Sequence, residues 1–550
     1  MPSAIDLLHQ GNSEELWKRY CGFLSLDIDG FMDVQKRLLL EQLNLLNNCG
    51  LGEKLFNGEK PESVEEFRRI APLTTYKDYC PELLEKHEDI LPAKAVEWVH
   101  TSGRSGEYPF KWVPMTDAFR RELSVIMYAI GLISVCDDWK QTDRMSDNLK
   151  IVYGVAPRPY VSGAMARMLE LQTPVEYYPP IEESEALSFE ERIAEGFKLA
   201  LNHGLEYFFG LSLVLVAVGE KFSHASRNTK VLPLLSQPKA LFRLIRAMIR
   251  SKREGRSMLP RDIWDPRGII GSGVDSGIYK ERIKDLWGRY PLDLYGCTEG
   301  TVIGTQTWDY DGMTLIPSLN FLEFIPEEEN LKWEMDHSYK QKTVLLDEVE
   351  PGKDYEIVFT NLHGGALVRY RVKDIVRFTS LRNDKLGIEL PQMVFVRRAD
   401  DLLDFVVVRL TEKTIWQAIE NTAIPYVDWT AYKEPGKPVL KLYIEPKDGC
   451  ASLAADIAAA VYDQIMGGES DELDADSPLR DDFASTIEFS VDVTLLPRGA
   501  FSAYTARKQA EGADIAHLKP PHINPSEPIL AAIVNHREEA EEAEANKIPA

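Results

Sequence analysis

From Thr101 the chain reads Thr-Ser-Gly-Arg-Ser-Gly, and a lysine follows at Lys111. Two glycines leave backbone N–H groups bare, three hydroxyls add donors and Lys111 adds a cation, which is what a loop wrapped around a phosphate requires. A surface turn with a lysine nearby uses the same residues, so this stretch alone leaves both readings open. A second stretch, "PLDLYGCTEG" (Pro291–Gly300), runs a short apolar strand into a Tyr-Gly turn, a hydroxyl and a carboxylate. Strand ends that open into polar turns are where α/β sheets hold ligands. Tyr295 offers a flat ring to a base, Thr298 a hydroxyl to a phosphate, and Glu299 a hard oxygen to Mg²⁺. In "GGALVRYRVKDIVRF" (Gly364–Phe378), Asp374 follows a strand ending in Tyr370-Arg371. Its carboxylate can accept from both hydroxyls of a ribose, or it can form a salt bridge with Arg371 or Arg377. "FVRRADDLLDF" (Phe395–Phe405), with Arg398 and Asp400, is a charged break between apolar runs: a turn between domains, or a hinge.

Composition narrows the partners. The 550 residues call for two or more domains, and 63 Lys+Arg against 87 Asp+Glu give a net charge of −24. So acidic a chain is poorly suited to wrapping nucleic acid, which needs a basic footprint. "RLIRAMIRSKREGR" (Arg243–Arg256) is the local exception, read as a solvated helix face followed by a loop. The six cysteines, Cys21, Cys49, Cys80, Cys136, Cys297 and Cys450, form no Cys-x-x-Cys pair, which argues against a zinc site or a disulfide framework. The N-terminus does not read as a signal peptide, and the most apolar stretch, Tyr207–Gly219, is too short to span a bilayer and reads as a buried helix or strand. A reducing cytosol is the expected compartment, with no membrane partner.

The elements that must position these residues follow from pattern. Residues 5–50 carry Leu and Phe at helical spacing. "RIAPLTTYKDY" (Arg69–Tyr79) looks like a capped helical start, and Thr116 looks like the cap of a long apolar helix, "TDAFRRELSVIMYAIGLISV". Residues 150–300 alternate apolar or β-branched runs with helical stretches, the pattern of an α/β fold. From 313 to 410 strands dominate, and from about 412 a smaller unit alternates helices and strands. The end, "HREEAEEAEANKIPA", is an acidic tail.

The order and spacing of the four stretches resemble the adenylate-forming superfamily of acyl-CoA synthetases, peptide-synthetase adenylation domains and luciferases. "LNFLEFIPEEE", "VEPGKDYEIVFTNLHGGALVRYRVKDIVRF" and "LPRGAFSAY…HLKPPHI" are similar, nearly phrase by phrase, to one branch of it. That branch is the acyl-acid–amido synthetases, the family of the plant auxin- and jasmonate-conjugating enzymes. The likeness runs over roughly residues 70–525 and is thin between about 165 and 260. It implies an α/β chain: a large multi-subdomain N-terminal domain over 1–396, with mixed sheets and a strand-rich barrel portion, and a small mobile α+β C-terminal domain over 397–550, hinged near 397–404. It further implies that Thr101, Ser102, Gly103, Ser105 and Gly106 hold the ATP phosphates with Lys111 near them. Tyr295 would stack on adenine, Thr298 contact the α-phosphate, Glu299 bind Mg²⁺, and Asp374 hold the ribose. Arg398 and Asp400 would mark the hinge, and Lys519 would reach the phosphates from the C-terminal domain. Gly271, Ser272, Gly273 and Val274 would line the pocket beside adenine and the acyl chain.

The implied chemistry suits these residue types. A carboxylate is a poor electrophile; attack on the α-phosphate of ATP converts it to an acyl-adenylate, and an amine then displaces AMP. N–H groups, lysine and Mg²⁺ stabilise the charge at phosphorus. The expected activity is therefore an ATP-dependent ligase joining a small carboxylic acid to an amino acid or other amine. An acyl-CoA synthetase with the same first step, or a nucleotide-binding relative without turnover, stands as the alternative. Two departures from the family pattern, Arg104 for a threonine and Lys373 for the glycine before Asp374, are expected to add cations near the phosphates.

Overall fold

The computed structural model describes residues 3–101, 110–225, 238–272, 276–336, 338–399, 402–405, 408–447, 453–467, 489–510, 522–525 and 527–534. The chain divides into two compact units, Met1–Ala399 and Asp400–Ala550.

The first unit opens with helices. The long one, Ile28–Leu46, starts at Asp27, whose carboxylate accepts from the Gly30 N–H, and buries Phe31, Leu38, Leu39, Leu43 and Leu46 along one face. Gln35 on that face is buried too: its amide donates to the Asn320 carbonyl (2.8 Å) and accepts the Leu322 N–H (2.8 Å), so it docks the helix on a strand. Thr116 caps the helix Asp117–Ile133 as expected, accepting from the Phe119 N–H at 3.0 Å. Its hydroxyl also donates to the His363 carbonyl at 2.7 Å. Thr75 and Asp78 form a capping box, but the helix they start, Tyr76–Tyr79, is a single 3₁₀ turn.

The strands are β1 (Ala95–His100), β2 (Trp112–Thr116), β3 (Leu149–Gly154), β4 (Val175–Tyr178), β5 (Tyr207–Leu211), β6 (Gly268–Ser272), β7 (Leu292–Cys297), β8 (Thr301–Thr305), β9 (Met313–Leu315), β10 (Asn320–Pro326), β11 (Asp354–Asn361), β12 (Tyr370–Ser380) and β13 (Gln392–Arg398). β1 and β2 form a hairpin of their own. The other eleven form one sheet in the order β10-β11-β12-β13-β9-β8-β7-β6-β5-β3-β4. From β4 to β7 neighbours run parallel, and from β7 to β10 they run antiparallel. β7 is thus the strand at which the sheet changes character. The run Tyr207–Gly219, which the sequence leaves as helix or strand, is both: β5 ends at Leu211 and the helix Ser212–Ala225 begins at the next residue.

The second unit has its own core, with Leu410, Ile415, Trp429, Ile444 and Val461 fully or almost fully buried. β14 (Leu402–Asp404) and β15 (Arg409–Thr411) form a hairpin. β16 (Tyr426–Lys433), β17 (Val439–Pro446) and β18 (Ser490–Leu495) form a sheet, antiparallel and then parallel. Helices Glu412–Asn421 and Ala454–Gly467 complete an α+β unit. The acidic tail lies outside the described residues. No helix among the described residues is long and apolar enough to cross a membrane, and the five cysteines there are free thiols.

Candidate functional site

The β1–β2 hairpin carries the glycine- and serine-rich loop. Val99 lies opposite Val113 and His100 opposite Trp112. Thr101 then closes the neck: its N–H donates to the Lys111 carbonyl (3.1 Å), and its hydroxyl accepts the Lys111 N–H (3.1 Å). One threonine therefore fixes where the loop leaves and re-enters. Ser102, Gly103, Ser105 and Gly106, with Arg104, lie outside the described residues. Tyr76 holds the returning strand, its hydroxyl accepting from the Trp112 N–H at 2.7 Å and donating to the Trp112 carbonyl at 3.0 Å. The Lys111 ammonium stands 5.9 Å from the Tyr76 ring centre.

Directly behind this hairpin lies the turn that leaves β7. Val99 and Val113 line a cavity of about 10 Å³ together with Thr298, Glu299 and Asn361, a space at the lower limit for one water. The two motifs thus meet in space although some two hundred residues part them. The turn is pinned by the first residues of β10 and β12 and the last residue of β11. Asn361 donates to the Glu299 carbonyl (3.0 Å), Asn320 to the Gly300 carbonyl (2.8 Å), and the Tyr370 hydroxyl to Glu299 Oε1 (3.0 Å). Thr301, the residue after the turn, takes φ +55°, and its hydroxyl donates to the Gly300 carbonyl. Burial, and next the Glu299 charge, push the Tyr370 phenol well above its ordinary pKa, so it remains a donor to Glu299. Burial likewise keeps the Cys297 thiol protonated. Sequence reading missed Asn320, Asn361 and Tyr370 as parts of the site; the signal was there in polar residues at the ends of otherwise apolar strands.

Asp374 is the third component. It pairs in register with Arg398 across β12 and β13, and Arg398 donates to Asp374 Oδ1 at 3.2 Å. The Tyr295 hydroxyl donates to Oδ2 at 2.8 Å. Four inter-strand steps separate β7 from β12, about 19 Å in a flat sheet, so a direct side-chain contact requires the antiparallel half to curl strongly. The Tyr295 ring is buried and stacks on Phe395, with centroids 6.3 Å apart and planes at 30°. Burial, with Asp374 second, raises the Tyr295 phenol far above its ordinary pKa, which keeps it a hydrogen-bond donor. The arginines weighed as salt-bridge partners of Asp374 go elsewhere: Arg371 binds Glu356 at 2.6 Å and Arg377 binds Asp354 at 2.6 Å.

Lys373 corrects an expectation. Its ammonium lies 3.9 Å from Glu356 and 5.8 Å from the Trp333 ring centre, in contacts it shares with Arg371. Asp374 is held by Tyr295 and Arg398, whereas the extra cation stands beside Glu356. Lys373 holds φ +65°, the left-handed backbone that glycine adopts without cost.

Gly271 on β6 pairs with Asp293 on β7, and an added Cβ would stand 2.4 Å from Ser212 Oγ, so a larger residue requires that hydroxyl to move. Ser272 closes β6, while Gly273, Val274, Asp400 and Lys519 lie outside the described residues.

Among the described residues no group of three or more His, Cys, Asp or Glu could hold a metal. A lone carboxylate such as Glu299, with one oxygen engaged by Tyr370, fits Mg²⁺ held mostly by substrate phosphates and water, the usual arrangement for that ion.

Comparison with known proteins agrees with this arrangement. The GH3 family N-terminal domain matches residues 24–153, and the GH3 family central domain matches residues 313–398. The first segment contains the β1–β2 hairpin; the second contains Asp374 and Arg398. A jasmonoyl–L-amino acid synthetase of Oryza sativa subsp. japonica is 25% identical over 284 residues, 47% of this chain and 45% of its own. Another, from Nicotiana attenuata, is 32% identical over 190 residues, 32% of this chain and 30% of its own. The chain thus spans less than half the length of these curated relatives. Among solved structures, the GH3.15 acyl acid amido synthetase has a TM-score of 0.50 at 16% identity and covers 92% of this chain and 93% of its own, a likeness of fold. The chain thus carries, over residues 24–153 and 313–398, segments similar to the N-terminal and central domains of the GH3 family.

Proposed function

We propose that the protein is an ATP-dependent ligase that adenylates a small carboxylic acid and transfers the acyl group to an amino acid or other amine. The observation that carries this reading is the convergence of three distant segments. The β1–β2 hairpin that carries the Thr101–Lys111 neck borders, through Val99 and Val113, the same cavity as the Thr298–Glu299 turn, and Tyr295, just before that turn, holds Asp374. The names of the curated relatives support the acceptor class: they are jasmonoyl–L-amino acid synthetases.

In the first step a carboxylate oxygen of the acid bonds to the α-phosphorus of ATP, and the bond to pyrophosphate breaks. The loop Thr101–Gly106 and Lys111 are assigned to the phosphates, Thr298 to the α-phosphate, and Lys519 to the charge that grows there. Glu299 would hold the Mg²⁺ that accompanies the nucleotide, and the ion supplies charge neutralisation. Asp374 is assigned to the ribose hydroxyls, with its carboxylate oriented by Tyr295 and Arg398. Tyr295 is assigned to the face of adenine, and its hydroxyl fixes Asp374. Gly271–Val274 are assigned to the acyl side. In the second step the amine nitrogen attacks the acyl carbon, AMP leaves, and the amine proton passes to solvent. The 397–404 segment is assigned as the hinge. Free thiols favour a reducing compartment, so the cytoplasm is the proposed place of action.

The test is acid-dependent exchange of pyrophosphate into ATP over a panel of acids, followed by product analysis with amino acids. Exchange with amide formation is the expected result. Exchange with a thioester formed only from CoA would make the protein an acyl-CoA synthetase, and nucleotide binding without exchange would make it a non-catalytic relative.

A further inference from the structure

The helix Pro238–Arg253 presents three faces. Ala240, Leu244, Ala247 and Ser251 are buried and fix it to the body of the first unit. At about 100° per residue, Phe242, Ile245 and Ile249 fall on one outward strip, and Met248 widens it. These side chains are 68%, 46%, 50% and 49% exposed, in that order. Soluble surfaces scatter large apolar side chains singly; a run of four on one helix marks a surface that meets something.

The charges beside the strip point to what it meets. The helix, PKALFRLIRAMIRSKR, has six cations and no carboxylate in a chain of net charge −24. Two of the six are committed to the protein: Arg243 donates to the Leu201 and Asn202 carbonyls, and Arg250 pairs with Glu254 and Asp262. Lys239, Arg246, Lys252 and Arg253 are exposed and have no ion pair among the described residues. Lys239, Arg246 and Arg253 border one edge of the apolar strip, and Lys252 falls within it, between Ile245 and Met248 in angle. The sequence alone suggests a merely solvated face here; the structure shows apolar side chains held outward beside a row of exposed cations.

We propose that this helix is an interfacial docking element that lies flat on an anionic membrane, with Phe242, Ile245, Met248 and Ile249 entering the headgroup boundary beside the cations. An exposed helix with a large apolar strip flanked by Lys and Arg is the signature of that mode, and its affinity combines apolar burial with attraction to anionic lipid. Cytoplasmic leaflets are anionic, and each cation near such a surface contributes about a fivefold gain in binding.

The full chain is tested by co-sedimentation with phosphatidylcholine vesicles, with and without phosphatidylserine, at low and high salt. Binding to the serine-containing vesicles alone, lost at high salt, is the expected result. Phe242→Ser with Ile249→Ser, and separately Arg246→Gln with Arg253→Gln, should each weaken it by about tenfold or more. Unfolding midpoints should stay unchanged, because the altered side chains face outward. Pyrophosphate exchange should also persist, because none of them belongs to the nucleotide site. If one pair shifts the midpoint, the other still decides. Failure to bind, binding that both paired variants retain, or a dimer that the apolar variant turns into monomers without any vesicle binding would each overturn the proposal. The last result would assign the face to a second copy of the chain, and an acidic protein partner without vesicle binding would overturn it equally.

Discussion

Single residues in the candidate site do two jobs, and substitutions can separate them. Glu299 offers a carboxylate to the cavity while its Oε1 accepts from Tyr370. Glu299→Gln keeps an acceptor for Tyr370 and removes the charge. Pyrophosphate exchange should fall on the order of 10²-fold or more, the range seen on removing one charge-stabilising group, with the denaturation midpoint preserved. Near-normal exchange in this variant would remove Glu299 from the metal and phosphate assignment. Lys373 poses the reverse problem, since its backbone is left-handed while its ammonium neighbours Glu356 and Trp333. Both Lys373→Ala and Lys373→Gly lose those contacts, and only the glycine relieves the backbone. The glycine variant should therefore be the more stable of the two by about 1 kcal/mol in urea unfolding. Equal stability would mean that the position carries no strain.

At the scale of elements, one cluster in the second unit makes a pH prediction. His522 is held on three sides. Nδ1 faces Glu412 Oε1 at 2.5 Å, Nε2 faces Asp428 Oδ1 at 2.8 Å, and the ring stacks on Trp429 with centroids 4.5 Å apart. Its carbonyl accepts the Ala431 N–H, so the segment joins the edge of β16. The hydrogen bond with Asp428, joined by Glu412, raises the imidazole pKa above 6.5 against the cost of burial. A raised folded-state pKa means that the contribution is fully present below 6.5 and is lost as pH climbs through the raised value. Unfolding free energy of the second unit should decline over that upper window, and His522→Gln should flatten the decline. A slope identical in the variant would assign the pH dependence to other groups. Elements of this kind are legible in sequence only where the signal is local. Thr116 announces its helix because a cap acts across three residues. The break between β5 and the helix after it is hidden, because Tyr207–Gly219 is apolar throughout and buried strand and buried helix look alike. Arg398 as the partner of Asp374 is hidden for another reason. The nearby Arg371 and Arg377 compete for the assignment, and only strand register decides.

At the scale of the whole molecule, the two units have separate cores, and the described residues assigned to the nucleotide all belong to the first. Lys519 belongs to the second by sequence, more than a hundred residues past the Arg398–Asp400 break. Nothing near it in sequence resembles a nucleotide site, so a catalytic role for it requires both units to act in one step. The two half-reactions separate that role from a structural one. In the first, negative charge grows at the α-phosphate, where a lysine stabilises it. In the second, attack on a preformed acyl-adenylate builds charge on the acyl carbonyl oxygen instead. Lys519→Ala should therefore slow acyl-adenylate formation by roughly 10²-fold or more in single-turnover measurements. Amide formation from chemically supplied acyl-adenylate should continue near the normal rate. Equal slowing of both steps would indicate damage to the second unit, which the unfolding profile of the variant would reveal. Normal rates in both would make Lys519 a solvated residue before two prolines and confine the first step to residues of the first unit.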